Sequence, residues 1–175
     1  VVTLGSKEGF ANLAQAISAP GDTIIVPNPS YPLHSFGFIM AGAAIRSVQA
    51  HSPEEYLSNL GRAVKHSVPP PTAMVVCYPA NPTAQVVELD FYKEVVKFAK
   101  KHNIWVLSDL AYTEIYYGDP PPSILQEPPA MFHTEYIERE NVLAVCPDAR
   151  CRRAHICRAV PATRCPHPGL RTDED

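Results

Sequence analysis

From Val1 to about Tyr117 the apolar positions alternate between two patterns, and each predicts a different kind of element. Between Lys7 and Ser18, Phe10, Leu13, Ala14 and Ile17 recur at i, i+3, i+4 and i+7, the spacing that gathers side chains on one helix face. Pro20-Gly21 stops that helix. Thr23-Ile24-Ile25-Val26 is a short β-branched run and predicts a buried strand ending at Pro27. A helix is expected over about Leu33 to Ala41 and a strand from Ala44 to Val48. Ser52-Pro53-Glu54-Glu55 combines a capping residue, a proline in the first turn and two acids, and predicts a helix running to about Lys65. Ala73 to Tyr78 reads as a third strand. Leu89 to Lys101 reads as a helix, with Phe91, Val95, Val96 and Phe98 set between lysines, and Ile104 to Leu107 as a fourth strand. Strands with little alternation, separated by helices, imply an α/β fold: a mostly parallel sheet covered on both faces, three layers in αβα order.

Beyond about Gln126 the pattern dissolves. The segment 126–175 is rich in Pro, Arg, Cys and His, has no sustained period and contains no lysine, Lys101 being the last in the chain. The chain is therefore divided into a patterned domain, 1–125, and a tail, 126–175, expected to be disordered or the product of a frame shift. A reading-frame error explains the sudden change of composition at the point where periodicity stops. A zinc site built from Cys146, Cys151, His155, Cys157 and Cys165 is an alternative, although the spacings form no pair of close ligand knuckles. A natural unstructured extension is the third.

Composition narrows the class of partner. A chain of 175 residues is one domain's worth, and 46% hydrophobic with 19% charged residues is the balance of a soluble globular protein. A net charge of −3 gives no electrostatic reason to expect nucleic acid or an anionic membrane, so a small molecule is the expected partner. No apolar run approaches the ~20 residues that span a bilayer, and no signal-peptide pattern opens the chain. A cytoplasmic location is the expectation. Val1-Val2-Thr3-Leu4 has the character of a strand interior, and sequence is expected ahead of it. Without an export signal, the five cysteines are not read as a disulfide framework.

In an open parallel sheet, ligands bind beyond the carboxyl ends of the strands. Four polar clusters fall at such places: Gly5-Ser6-Lys7-Glu8 at a helix start, where free N–H groups suit a phosphate, then Pro27 to His34, Asn81-Pro82-Thr83, and Ser108 to Tyr112. Taken singly each has a plainer reading: a cap, a turn, or an Asp that caps the next element.

Their order and spacing carry more. LGSKEG, VPNPSYPLH, YPANPT and SDLAYTEIYY, in that order over about 125 residues, resemble the class I and II aminotransferases with the type I pyridoxal-phosphate fold. Residues 81–117 are most similar to the glutamate–pyruvate (alanine) aminotransferases and their LL-diaminopimelate aminotransferase relatives. The resemblance implies part of the large, cofactor-binding domain of such an enzyme, with pyridoxal 5'-phosphate as cofactor. It implies that Asp109 pairs with the pyridine nitrogen and keeps it protonated. Tyr112 and Asn81 resemble the hydrogen-bond donors to the ring's phenolic oxygen, and Tyr31 the aromatic residue stacked on the ring. Ser6 and Lys7 resemble the phosphate-anchoring turn, and His34 the histidine that orients the aspartate from behind. No metal site is expected among them.

The resemblance also implies what this span does not hold. In the family a lysine some tens of residues after the aspartate forms the Schiff base and moves the proton, and no lysine follows Asp109 here. No catalytic residue is assigned, and residues 1–175 alone are expected to be inactive. Ala84 stands where many relatives have glycine after Asn-Pro-Thr. The expected function is that of an aminotransferase fragment passing an amino group between an amino acid, alanine-like, and a 2-oxo acid. The complete protein is expected to be a homodimer without nucleic-acid or membrane partners. Two alternatives stand beside it: a non-catalytic pyridoxal-phosphate-binding module and a zinc-stabilised interaction protein.

Overall fold

The computed structural model describes residues 5–113, 115–126 and 142–145. Helix α1 (Gly5–Ile17) leads into strand β1 (Thr23–Asn28), then α2 (Leu33–Met40), β2 (Ala44–Gln49), α3 (Pro53–Lys65), β3 (Pro71–Cys77), α4 (Leu89–His102) and β4 (Trp105–Asp109). A single 3-10 turn, Ile124–Gln126, and a last strand, β5 (Val142–Val145), complete the described part.

The five strands form one sheet in the order β2-β1-β3-β4-β5, and every neighbouring pair is parallel. Consecutive side chains in a strand point to opposite faces, so β1, β3 and β4 each feed two cores. Ile24, Val26, Val75 and Leu107 pack under α1 and α2 with Phe10, Leu13, Ala14 and Phe38. Ile25, Met74, Val76 and Val106 pack against α3 and α4 with Tyr56, Leu60, Tyr92 and Val95. Near-continuous apolar strands are the signature of burial on both faces, and the three-layer αβα arrangement read from the sequence is the one observed.

Local chemistry sets the element ends. The Ser52 side chain accepts a hydrogen bond from the Glu55 N–H and caps α3. Helix α4 ends with Asn103 in the left-handed region at φ 53°, a usual helix stop. At the turn between α2 and β2, Gly42 has φ +84°, and a Cβ there would lie 3.0 Å from the Pro20 ring. Only glycine serves at that crossing.

Most boundaries shift by a residue or two from the sequence reading, and two strand ends bear on the site. β1 continues through Pro27 to Asn28, paired to Val48 and Gln49, because one missing N–H does not end a ladder. β4 runs two residues further than expected, so Ser108 and Asp109 belong to the strand, where Asp109 stands in register with Cys77. A third difference lies in the tail: Val142–Val145 pairs with Val106 to Asp109 of β4, although no element was expected after residue 126. A four-residue apolar run without flanking signals is too short to stand out from its surroundings. The tail's cysteines and histidines, with the zinc ligands considered among them, lie outside the described residues.

Candidate active site

The carboxyl ends of β1, β3 and β4 and the start of α1 meet around a cavity of about 130 Å³. Ser6, Lys7, Tyr31, Asn81, Asp109 and Tyr112 all line it, together with Leu33, Cys77 and Ala111. Six residues singled out in four separate sequence motifs are thus neighbours in space. The strand order explains why: β1 and β3 are adjacent although β2 intervenes in sequence, and such a switch point opens a crevice at the carboxyl edge.

Asp109 sits at the floor, with only 11% of its side chain exposed. Its Oδ2 lies 2.9 Å from His34 Nε2, and its Oδ1 accepts the Ala111 N–H at 3.2 Å. His34 is fully buried, in the first turn of α2, and its Nδ1 lies 2.6 Å from Ser30 Oγ. An ionised carboxylate only accepts, so the His34 Nε2–H donates to it, and in the neutral ring Nδ1 then accepts the Ser30 hydroxyl. The Phe10 ring, 5.0 Å from the imidazole, and the Tyr31 ring, 5.9 Å away and nearly perpendicular, wall it in. His34 thus stands behind Asp109, outside the cavity lining, and fixes the orientation of the carboxylate.

Across the cavity the Asn81 amide donates to the Tyr112 hydroxyl at 3.1 Å. The Tyr112 O–H hydrogen and the second amide hydrogen remain for an acceptor in the cavity. Ser6 and Lys7 lie in the first turn of α1, where backbone N–H groups have no partner within the helix and the dipole favours an anion. Asn81 and Tyr112 also border a wider cleft of about 770 Å³ with Val86, Ile115 and Tyr116.

Two residues were not foreseen. Cys77, at the end of β3, lines the cavity beside Asp109; burial pushes its thiol up to about 12, and the Asp109 charge adds to the effect. Ser30 completes the chain to His34. Both follow from register: Cys77 could be placed beside Asp109 only once β3 and β4 were paired, and Ser30 only once its loop was folded over α2.

The donor set fits pyridoxal phosphate. A buried, oriented carboxylate with unused lone pairs suits a protonated ring nitrogen, the Asn81–Tyr112 pair suits a phenolic oxygen, and the helix start suits a phosphate.

Residues 1–146 match the family described as aminotransferase class I and II. The chain belongs to this family. Among class I and II aminotransferases, AatC of Rhizobium meliloti (strain 1021) is 63% identical over 131 residues, 74% of this chain and 32% of AatC. The glutamate-pyruvate aminotransferase AlaC of Escherichia coli (strain K12) is 48% identical over 131 residues, again 74% of this chain and 32% of that protein. A solved Thermus thermophilus aspartate aminotransferase mutant superposes with a TM-score of 0.69 at 28% identity, covering 83% of this chain and 36% of the other. The chain spans about a third of the length of the curated aminotransferases it matches.

Proposed function

We propose that residues 1–125 form the cofactor-holding part of a pyridoxal-phosphate-dependent aminotransferase that moves an amino group between an alanine-like amino acid and a 2-oxo acid. The observation that carries this reading is the convergence of Ser6, Lys7, Tyr31, Asn81, Asp109 and Tyr112 on one cavity. When bound, pyridoxal phosphate supplies an electron-accepting ring that takes up the charge left as the substrate loses its α-proton.

The residues divide the holding among them. Asp109, steadied by His34 and the Ala111 N–H, keeps a proton on the pyridine nitrogen. Tyr112 and Asn81 donate to the phenolic oxygen, Tyr31 covers a ring face, and the first turn of α1 holds the phosphate at Ser6 and Lys7. Residues 102–175 contain no lysine, and Lys7 lies at the phosphate end, so this span binds the ring without supplying the amine that attaches it. A second reading is a non-catalytic module that only binds the cofactor. In either case we place the protein in the cytoplasm as a homodimer, with amino acids and 2-oxo acids as the partners of the complete enzyme. Among the described residues no helix is long and apolar enough to cross a membrane.

Pyridoxamine phosphate, whose binding needs no lysine, provides the test. Titrated into the protein and followed by the fluorescence of Trp105, the one tryptophan, it should bind saturably, and Asp109→Asn should weaken it about tenfold or more. Pyridoxal phosphate followed by borohydride should leave no stoichiometric adduct in the cavity. Absence of saturable binding, or equal binding by Asp109→Asn, would sink the reading, and a reducible adduct would show that an amine has been overlooked.

A further inference from the structure

The floor of the cavity holds a second chemistry. His34, Cys77 and Asp109 are all buried, and one ligand atom from each lies within 4.8 Å of the other two. Cys77 and Asp109 are register partners at the ends of β3 and β4, and His34 reaches Asp109 from α2. We propose that, when no cofactor is present, His34, Cys77 and Asp109 bind a zinc ion whose fourth position opens into the cavity. This goes beyond the functional reading above, and only its displacement test rests on that reading.

Donor chemistry selects the metal. An imidazole nitrogen, a thiolate and a carboxylate form a borderline-soft set that suits zinc and not calcium or magnesium, which prefer oxygen alone. A tetrahedral site with bonds of about 2.0–2.3 Å places its ligand atoms roughly 3.3–3.8 Å apart. The cysteine therefore closes in by about an ångström, and the His34–Asp109 pair opens by about half of one. One neutral imidazole, one thiolate and one carboxylate balance the divalent charge, which matters in a site this buried.

The other ring nitrogen is already provided for. Zinc-bound histidines donate their free N–H to a fixed partner, and Ser30 Oγ lies 2.6 Å from Nδ1. On binding, the ring keeps one proton, which passes from Nε2 to Nδ1, and the Ser30 oxygen becomes its acceptor. The zinc–sulfur bond replaces the Cys77 S–H bond, and the thiol proton goes to solvent. On the open side, Cys77 and Asp109 both face the cavity, where a water completes the tetrahedron.

Cobalt(II), a spectroscopic substitute for zinc, gives the test in residues 1–175 with Cys146, Cys151, Cys157 and Cys165 changed to serine, so that the tail contributes no thiolate. Expected is one equivalent of cobalt with tetrahedral visible bands and a thiolate charge-transfer band. Cys77→Ser should abolish that band and weaken binding more than about 100-fold, with Ser30→Ala weakening it about tenfold. Should Cys77→Ser not fold, as judged by circular dichroism, Asp109→Asn and displacement of cobalt by pyridoxamine phosphate replace it, since Asp109 cannot serve both ligands. No charge-transfer band, a band that survives Cys77→Ser, or cobalt retained under saturating pyridoxamine phosphate overturns the proposal. Failure of the cofactor reading shows separately, as no pyridoxamine phosphate binding to metal-free protein while the cobalt band stands.

Discussion

Ala84 has a left-handed backbone, φ 56°, in the turn closed by Ala84 N–H to Ala80 O and Ala80 N–H to Gln85 O. A residue with a Cβ in that region costs about 1–2 kcal/mol relative to glycine. Glycine in turn gives up roughly 0.4–1 kcal/mol through its freer unfolded chain. The first effect is the larger, so Ala84→Gly should raise the unfolding free energy by roughly 0.5–1 kcal/mol in urea titrations. An unchanged or lower midpoint would mean that the turn tolerates the methyl without strain. At the same scale, the meeting of Asp109, Tyr112, Asn81 and Tyr31 in one cavity was legible because their motifs, ambiguous one by one, follow a specific order along the chain. Cys77 and Ser30 were not, since a lone cysteine ending an apolar run and a serine in a proline-rich loop resemble core and turn until the strands are paired.

Among the elements, α3 is the one whose start is written most fully in its residues. Ser52 caps the Glu55 N–H, Pro53 opens the first turn, and Glu54 and Glu55 meet the positive end of the dipole. Ser52→Ala should destabilise the fold by about 1 kcal/mol, while Ser52→Asp should lose little. Equal losses in both, measured by denaturant midpoint, would remove the cap from the explanation. Helix α3, which buries Tyr56, Leu60 and Ala63, was legible from its start signals, and α1 and α4 from periodicity, to within a few residues. Strand ends were less so. Burial on both faces erases the alternation that would mark where pairing stops, which is why β4 was read two residues short, while the four residues of β5 are too few to stand out.

For the molecule as a whole, burial makes several groups harder to ionise. Burial pushes the Tyr78 hydroxyl up to about 12, with the neighbouring Cys77 adding to it, and Cys77 is raised to the same level. Tyr56 and Tyr92 move in the same direction, also through burial. These groups hold their protons more tightly folded than unfolded, where they ionise near 9 for the thiol and 10 for the phenols. Stability is therefore fully present below about pH 9 and falls as the pH rises towards 12, by about 1.4 kcal/mol per group for each unit beyond its unfolded value. Urea midpoints measured across that window should decline, and Tyr78→Phe should flatten the decline. A variant slope as steep as the parent's would show that Tyr78 is not a contributor.

The bond from His34 to Asp109 joins positions 75 apart and ties the first turn of a helix to the tip of a central strand. Whatever settles on the carboxylate must also steady that helix. Deuterium uptake at the amides of Phe36, Gly37 and Phe38 should slow when pyridoxamine phosphate is added, and His34→Gln should remove the slowing while leaving the helix in place. If uptake there ignores occupancy, the tether carries no tension. If it responds, the far turns of a helix that meets the cavity only at its first residues become the gauge of whether that cavity is filled.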